Sequence, residues 1–493
     1  MAFFWNFPFI SIVLSLLCAV ITFLLKGRAA KRVTLALNLS CILLSLGTLV
    51  RNLQLGEFTF IMGHYTAPWG NEIRAGLIEP LFALIFTCVL MLSIMAIREE
   101  KYIEDSKLNL FFIMSDLIQA AIMALAYTND IFTAYVFIEI CTIASCGLLM
   151  IRDTGKTIVA ATRYMIFALL GSGFFLIGII LLYDITGHLL MPNIKEAVAV
   201  LWETGNYRLP LLITVGLIVT GLGIKSGMFP FFFWMPDTYG YASPDASSIL
   251  SGVVSKIYIL LLIKIIYSVI GAEVFFAMGI KHILLVFGIC GMMIGSVLAI
   301  RERQLDRMIA YSSAAQIGYI YMGIGMGELG MIPAMLHIVA HALTKPLLFV
   351  TAARLSAVSG GSKRFYELAG SGYRCPISGA CFTIGALSMV GIPGLVGFAS
   401  KLYFAEAALV SNMNILVPVL IALAVSTLLN AGYYLRAVIC IYSKGNRKLL
   451  SGTAVKERPI FLMSCIAFSV IIFILGIYPG YLADIIKAGL EIL

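Results

Sequence analysis

Charged residues are scarce in this sequence of 493 residues. Asp, Glu, Lys and Arg together make up 12% of it, whereas 61% is hydrophobic and the mean hydropathy is +1.01. Soluble domains carry roughly 25% charged residues. A chain with so few charges cannot cover a water-exposed surface, and its apolar character extends along its whole length. The composition therefore excludes a soluble globular protein and predicts a membrane protein.

The sequence also lacks the cysteine patterns of a metal or redox centre. Its ten cysteines are scattered through apolar segments, with no C-x-x-C pair and no Cys/His spacing typical of a zinc or iron–sulfur site. A cysteine in such a segment is typically a small buried residue. We therefore expect no cofactor, no metal and no catalytic redox centre in this chain.

The apolar segments divide into about fourteen windows of roughly 20 residues, the length at which a helix crosses a bilayer. The fold class is therefore predicted to be all-α and polytopic, with about fourteen transmembrane helices. The predicted spans, which we number in chain order, are residues 7–25, 33–50, 77–97, 109–127, 131–151, 158–183, 209–231, 245–270, 276–300, 305–326, 331–356, 376–411, 414–441 and 459–481.

Two of these spans contain helix-breaking residues. The seventh ends in the glycine-rich segment Gly221–Pro230, and the twelfth, too long for one helix, contains Gly391-Ile-Pro-Gly394. Broken helices at corresponding positions of two halves are typical of the ion site in inverted-repeat transporters. We therefore expect both spans to be discontinuous.

Basic residues are distributed unequally between the loops. With these spans, 23 of the 34 Lys and Arg residues fall on one side of the membrane, six on the other and five inside spans. An excess of Lys and Arg marks the cytoplasmic side, which predicts that both termini lie on the non-cytoplasmic side of the cell membrane. The net charge of +9 is then a loop bias, and no nucleic acid is expected as a partner.

Ionisable residues inside the spans are functional hypotheses, because a charge at the bilayer centre costs about 3 kcal/mol or more. The basic ones are Lys225, Lys256, Lys264, Lys345 and Lys401. The candidate acids are Asp116, Glu139 and Glu406. His337 and His341 lie four residues apart on one face of the eleventh span.

Some of these residues have alternative roles. Lys264 is near the end of its span and can extend to the interface, and Lys345 precedes Pro346. Asp116 and Glu406 can face a partner subunit. The two histidines can relay protons, bind a metal or be structural. No third metal ligand is evident, and the ordinary imidazole pKa of about 6.5 favours the relay.

A relay of protons follows from the electrostatics of burial. Low dielectric disfavours the charged form of a lysine, and a nearby carboxylate favours it. Moving that carboxylate, or changing its partner, therefore loads or unloads the lysine. Glu139 and Lys225 are the natural pair for such a switch, and Lys256, the histidines and Lys401 could pass the proton onward.

Four stretches of this sequence resemble the motifs of antiporter-like membrane subunits. The segment from Lys225 to Asp237, KSGMFPFFFWMPD, is followed by Lys256 in the eighth span. The others are residues 130–139 (DIFTAYVFIE), residues 310–318 (AYSSAAQIG) and His337-x-x-x-His341-x-x-x-Lys345. This family is shared by respiratory complex I, Mrp sodium/proton antiporters and energy-converting membrane hydrogenases. The resemblance covers roughly residues 70–440.

The resemblance implies two inverted five-helix repeats, residues 109–272 (spans four to eight) and 273–442 (spans nine to thirteen). Residues 1–108 hold the first three spans and residues 443–493 the last. By position, ion-translocation roles are implied for Glu139, Lys225, Lys256, His337, His341 and Lys401. Asp116, Lys264, Lys345 and Glu406 are further candidates for the same line.

The sequence departs from the family pattern in two places. Many relatives have a histidine between the seventh-helix proline and the tryptophan, where this chain has Phe231-Phe-Phe233. One proton-accepting group is therefore missing or replaced. Lys401 stands where some relatives have an acid. Together these features resemble the Mrp D-type and hydrogenase-type subunits.

The implied function is ion translocation within a multi-subunit membrane complex that is redox-driven, like complex I or an energy-converting hydrogenase. The alternative is a D-type component of a stand-alone Mrp Na+/H+ antiporter. An independent solute transporter is a weaker alternative, because no solute site is evident beyond the line of lysines. A membrane scaffold is also weaker, because it leaves several charges inside the membrane without a function. The expected partners are other membrane subunits, peripheral redox subunits acting indirectly, the lipid bilayer, and protons or Na+. The chain would be a transport subunit of an oxidoreductase (translocase) complex without being its catalytic centre.

Overall fold

A computed structural model of the chain describes residues 6–62, 65, 70–97, 105–205, 207–444 and 457–493. This part is almost entirely helical, which confirms the all-α prediction. Its strands, Phe58–Ile61 and Glu72–Ala75, form one antiparallel hairpin. Five basic residues counted for the orientation lie outside the described residues: Arg98, Lys101, Arg447, Lys448 and Lys456.

Twelve helical segments of the described chain are long and apolar enough to cross a membrane. They are Phe7–Leu24, Arg28–Leu55, Ile78–Met95, Lys107–Tyr127, Ile131–Met150, Gly155–Thr186, Arg208–Tyr241, Pro244–Ile270, Ile280–Arg301, Glu328–Val358, Met413–Tyr442 and Pro459–Ile477. The helix Leu305–Gly325 is the tenth span, in which several buried polar residues lower the hydropathy. The twelfth span is divided into Pro376–Val390 and Val396–Val410. These segments together make the fourteen spans predicted from the sequence.

Both predicted breaks are present. The seventh span is helical over Arg208–Ser226 and then turns at Gly227, where φ is 80°. It continues as a 3-10 turn, Phe231–Trp234, and a short helix, Met235–Tyr241. The first half of the twelfth span ends at Gly391, with φ of 95°. A positive φ is accessible to glycine without steric cost, so the glycines allow the chain to leave the helix there.

Several shorter helices were not predicted from the sequence. Met191–Thr204 buries Met191, Ile194 and Val198 along one face and packs against the end of the eighth span. Pro479–Ile492 packs against the third and eleventh spans. Both are amphipathic and too short to cross a bilayer, so a search for long apolar windows passes over them. The remaining short elements are Ala272–Ala277, Phe365–Glu367 and Ser371–Arg374.

The eighth and eleventh spans form the centre of the molecule. Every residue in the most apolar window of each is buried inside the chain, whereas only a third of the first span's window is. The eighth span contains two π-helical turns, Leu250–Val254 and Ile266–Ile270, a distortion that is frequent at functional sites. Because these two spans carry most of the lysines and both histidines, the ionisable residues are held away from lipid.

The sixth and seventh spans approach each other through glycine. A Cβ added to Gly171 would lie 2.8 Å from the carbonyl oxygen of Gly221 and 3.0 Å from Cγ of Lys225. Small residues let membrane helices approach closely. The contact places Lys225 against the sixth span.

We expect Gly171→Val to lower stability by about 1–3 kcal/mol through overpacking at this contact. The measurement is the Tm of the purified protein in detergent. Gly173→Val is the matched control on the same span, because a Cβ there meets nothing within 4 Å. Equal Tm values for the two variants would contradict the assigned packing.

Candidate functional site

Glu139 and Lys225 form an ion pair between the fifth and seventh spans. Lys225 Nζ lies 3.5 Å from Glu139 Oε1, and the Ser172 hydroxyl donates to the same oxygen. The lysine side chain is 1% exposed and the glutamate side chain 24%. The pair is therefore asymmetric, with Lys225 enclosed by this chain and Glu139 at its outer edge.

Lys225 also contacts groups on its inner side. Its ammonium donates to the Thr142 hydroxyl at 2.7 Å and lies 5.6 Å from the centre of the Tyr258 ring. Tyr258 belongs to the eighth span, which is the next helix toward the centre of the molecule. Lys225 thus stands between a carboxylate at the edge and the central helices.

Lys256 is completely buried in the eighth span. Its ammonium donates to the Ser251 carbonyl, inside the first π-helical turn, and to the Ser255 hydroxyl at 3.1 Å. Both partners are neutral. The charge on Lys256 is therefore balanced by dipoles alone.

His337 is held by hydrogen bonds on both ring nitrogens. Nδ1 lies 2.9 Å from the Ser400 hydroxyl and Nε2 lies 3.0 Å from Gln316 Oε1. The ring also stacks on Tyr319, with centroids 5.0 Å apart. These contacts link the tenth, eleventh and twelfth spans at one imidazole.

His341 is buried, but neither ring nitrogen has a hydrogen-bond partner among the described residues. It lies within electrostatic reach of Lys256, Lys345 and His337. Buried polar groups are almost always hydrogen-bonded, to protein or to ordered water. His341 is therefore the place on this line where water would connect the lysine of the eighth span with those beyond.

Lys345 is one turn further along the eleventh span and is also completely buried. Its ammonium donates to the Ile309 carbonyl at 3.1 Å, to the Tyr434 hydroxyl at 3.0 Å and to the Ser312 hydroxyl. Like Lys256, it is surrounded by neutral acceptors.

Lys401 lies at the break of the twelfth span. Its ammonium donates to the carbonyls of Met389 and Val390, at 3.2 Å and 2.7 Å, and lies 5.2 Å from the centre of the Tyr319 ring. Those carbonyls are in the last turn of the first half-helix, where they have no intrahelical donor and carry partial negative charge. The broken helix therefore supplies the counter-charge for this lysine.

Three candidates lie away from this line. Lys264 lies 3.8 Å from Glu79 and donates to the carbonyls of Ala126 and Thr128 at 2.7 Å. Asp116 accepts a 2.7 Å hydrogen bond from Thr22 of the first span. Glu406 is exposed on the outer surface of the chain. The structure does not bring these three together with the other candidates.

Sequence reasoning missed two kinds of site residue. Glu79 is the second residue of its span, and a charge at the end of a membrane helix is not unusual. In the structure, however, its side chain is 2% exposed and pairs with Lys264. The neutral groups that contact the lysines, Glu139 and His337 carry no charge to mark them; they include Thr142, Ser172, Ser312, Gln316, Ser400 and Tyr434. Within the described residues, no three His, Cys, Asp or Glu side chains are grouped as metal ligands.

Known proteins are similar to this chain in sequence and in fold. The chain is 33% identical over 422 residues to the NADH-quinone oxidoreductase subunit N of Desulforudis audaxviator, covering 84% of this chain and 80% of that protein. It is 26% identical over 412 residues to the D-type component of the Na(+)/H(+) antiporter of Bacillus subtilis, covering 81% of this chain and 80% of that one.

A solved structure has the same architecture. A chain of the membrane-bound sulfane sulfur reductase, an archaeal respiratory membrane complex, superposes with a TM-score of 0.85 at 24% identity, covering 99% of this chain and 96% of that one. The family model described as "NADH:quinone oxidoreductase/Mrp antiporter, TM" matches residues 128–429. The motif resemblance is thereby confirmed, and this multi-pass membrane protein belongs to the NADH:quinone oxidoreductase/Mrp antiporter transmembrane family.

Proposed function

We propose that this chain translocates protons along a buried line from Glu139 through Lys225, Lys256, the histidines and Lys345 to Lys401. The observation that carries the proposal is the kind of group that contacts each lysine ammonium. The line contains four buried lysines, Lys225, Lys256, Lys345 and Lys401, and among their hydrogen-bond and ion-pair partners in the described residues only Glu139 is charged. The others are held by hydroxyls, carbonyls and ring faces, so they are not locked in one protonation state.

The asymmetry of the Glu139–Lys225 pair provides a way to drive the line. The partly exposed carboxylate can be approached by a neighbouring subunit, whereas Lys225 cannot. A cation brought to Glu139 from outside would weaken the electrostatic attraction between Glu139 and Lys225. At about 3.5 Å and an effective dielectric of ~20, the pair interacts by several kcal/mol, enough to change proton occupancy by orders of magnitude.

The partners of the complex are the second part of the proposal. We favour a redox-driven complex, because the chain is 33% identical to an NADH-quinone oxidoreductase subunit and 26% identical to the antiporter component. The alternative is a stand-alone Mrp Na+/H+ antiporter, which the Bacillus subtilis relative supports. In either case other membrane subunits would be the immediate partners, and any redox cofactors would be in peripheral subunits.

The plasma membrane is the proposed location, with both termini on the non-cytoplasmic side. Contacts between the basic segments support their assignment to one side of the membrane, and the excess of Lys and Arg supports its being the cytoplasmic side. Arg307 and Arg163 both pair with Asp237, and Lys363 pairs with Asp306. The loops assigned to the cytoplasm by the excess of Lys and Arg are thus in contact with one another.

Two inverted five-helix repeats, residues 109–272 and 273–442, are also part of the proposal. The seventh and twelfth spans are the fourth helix of each set, and each is broken beside a buried lysine. Equivalent breaks in equivalent helices are what such a repeat requires.

We expect Lys225→Ala to abolish proton transport by the assembled complex in proteoliposomes, because the line then loses the lysine that connects Glu139 with the central helices. Assembly is checked by co-purification of the other subunits. Lys281→Ala, at the beginning of the ninth span, is the matched control and should transport at the normal rate. Full transport by Lys225→Ala would refute the role of Lys225.

For Glu139→Gln we expect at least a tenfold loss of transport, since a 1.4 kcal/mol change already corresponds to a factor of ten. The amide keeps the size of the side chain and an acceptor for Ser172 while removing the charge. Unchanged transport at every pH tested would argue against the pair as the driving element.

Purification of the native complex distinguishes the two types of assembly. A redox-driven complex should yield iron–sulfur proteins together with this chain, with iron measurable in the purified sample. Recovery of a complete, iron-free set of small membrane subunits that exchanges Na+ for H+ would instead establish the antiporter alternative.

A further inference from the structure

The first two spans turn a polar face toward the interior of the molecule. Their outer faces carry large apolar residues such as Val20, Leu24 and Leu43, which are 64%, 76% and 60% exposed. Their buried faces carry Ser, Thr, Asn and Cys at intervals of three or four residues along the whole length: Ser11, Ser15, Cys18 and Thr22, then Thr34, Asn38, Cys41, Ser45, Thr48 and Asn52. Packed against the fourth span, these faces define what we call the N-terminal seam.

One end of the seam is the carboxylate of Asp116, which is completely buried. Oδ2 accepts from Thr22, but Oδ1 has no hydrogen-bond partner among the described residues. The Thr34 hydroxyl lies beside the same carboxylate without completing a hydrogen bond. Thr22 is near the end of the first span, before Lys26 and the first turns of the second span, which carry Arg28, Lys31 and Arg32. This end of the seam therefore faces the side with the excess of basic residues.

The middle of the seam contains Gln119, one turn beyond Asp116. Its amide nitrogen donates to Thr87 at 3.0 Å, and its amide oxygen has no partner in the described part of the chain. Ser15 and Cys41 meet beside it, 3.6 Å apart. Ser45 contacts the sulfur of Met123 at 3.9 Å.

The far end of the seam contains Tyr127 and Asn52. Tyr127 is buried near Ser45, Thr48 and Glu79, and its hydroxyl has no hydrogen-bond partner of normal geometry in the described chain. Asn52 donates to the Gly76 carbonyl at 2.6 Å.

Gly76 connects this end to a buried acid and base. The Gly76 amide donates to Glu79 Oε2 at 2.9 Å. Glu79 Oε1 lies 3.8 Å from Lys264 and 3.3 Å from Arg74. The N-terminal seam therefore extends from the carboxylate of Asp116 to the cluster of Glu79, Lys264 and Arg74.

Close packing of small residues does not account for these groups. It explains the hydroxyls that donate to their own helix, such as Ser15 to the Ser11 carbonyl and Thr48 to the Leu44 carbonyl. It leaves Asp116, Gln119 and Tyr127 each with an unpaired buried atom. Such atoms are rare in folded proteins and are normally satisfied by ordered water, which needs a polar site with several partners.

We propose that the N-terminal seam is a second, water-filled proton route, separate from the line through Lys225. Asp116 is its proton-binding group on the basic side, and the Glu79–Lys264 pair is its opposite end. The proton passes between them along the hydrogen-bonded waters, and no other reactant is consumed. This inference rests on the proposed function, since it assumes that the complex transports protons.

The first test is a structure of the intact complex at a resolution that shows ordered water. We expect waters within hydrogen-bond distance of Asp116 Oδ1, Gln119 Oε1 and Tyr127 Oη. A seam in which these atoms pair directly with one another, without water, would overturn the proposal. This test does not depend on transport, so it stands even if the proposed function fails.

The second test is proton transport by the assembled complex carrying Asp116→Asn, which we expect to fall at least twofold while transport through the lysine line remains. Asp184→Asn is the matched control, because Asp184 is exposed at the end of the sixth span. Tyr127→Phe removes a single hydroxyl from the seam and serves as the second variant if Asp116→Asn does not assemble. Unchanged transport in an assembled seam variant would overturn the proposal even if water is present, whereas the proposed function would stand.

Discussion

Placing an ammonium group inside a membrane is the constraint on which the rest of this structure depends. A lysine there must find acceptors within the protein, because lipid offers none. The chain meets this requirement differently for each lysine. Lys225 has a carboxylate, Lys256 has the carbonyl of a π-helical turn, and Lys401 has the carbonyls of an interrupted helix. The distorted turns of the eighth and twelfth spans thus provide carbonyl acceptors for the charges beside them.

The same constraint explains why the functional groups are central. The eighth and eleventh spans are surrounded by other spans, so neutral hydroxyls, amides and ring faces can be placed around each ion without contact with lipid. Glu139 is the exception, since its side chain remains a quarter exposed. A complex that acts on this chain from outside therefore has one charged group of the line within reach, and the others respond through their neighbours.

Much of this arrangement could be predicted from the sequence, because charges inside apolar windows are conspicuous. Lys225 and Lys401 stood out in this way, and the nearby glycines predicted the breaks. The neutral partners could not be predicted, since Thr142 or Ser400 looks like any small polar residue in a membrane helix until the fold brings it to an ion. Glu79 was missed because it lies where a span begins. The amphipathic helix Met191–Thr204 was missed because it is not apolar enough.

We propose that the buried lysines act by gaining and losing protons, and not merely as fixed positive charges. The most direct measurement is proton transport by the assembled complex carrying Lys256→Arg. A guanidinium keeps the charge but does not release its proton in proteins. We expect transport to fall to the background rate while the other subunits still co-purify. Transport at the wild-type rate would show that a fixed charge is sufficient and would contradict proton exchange at Lys256.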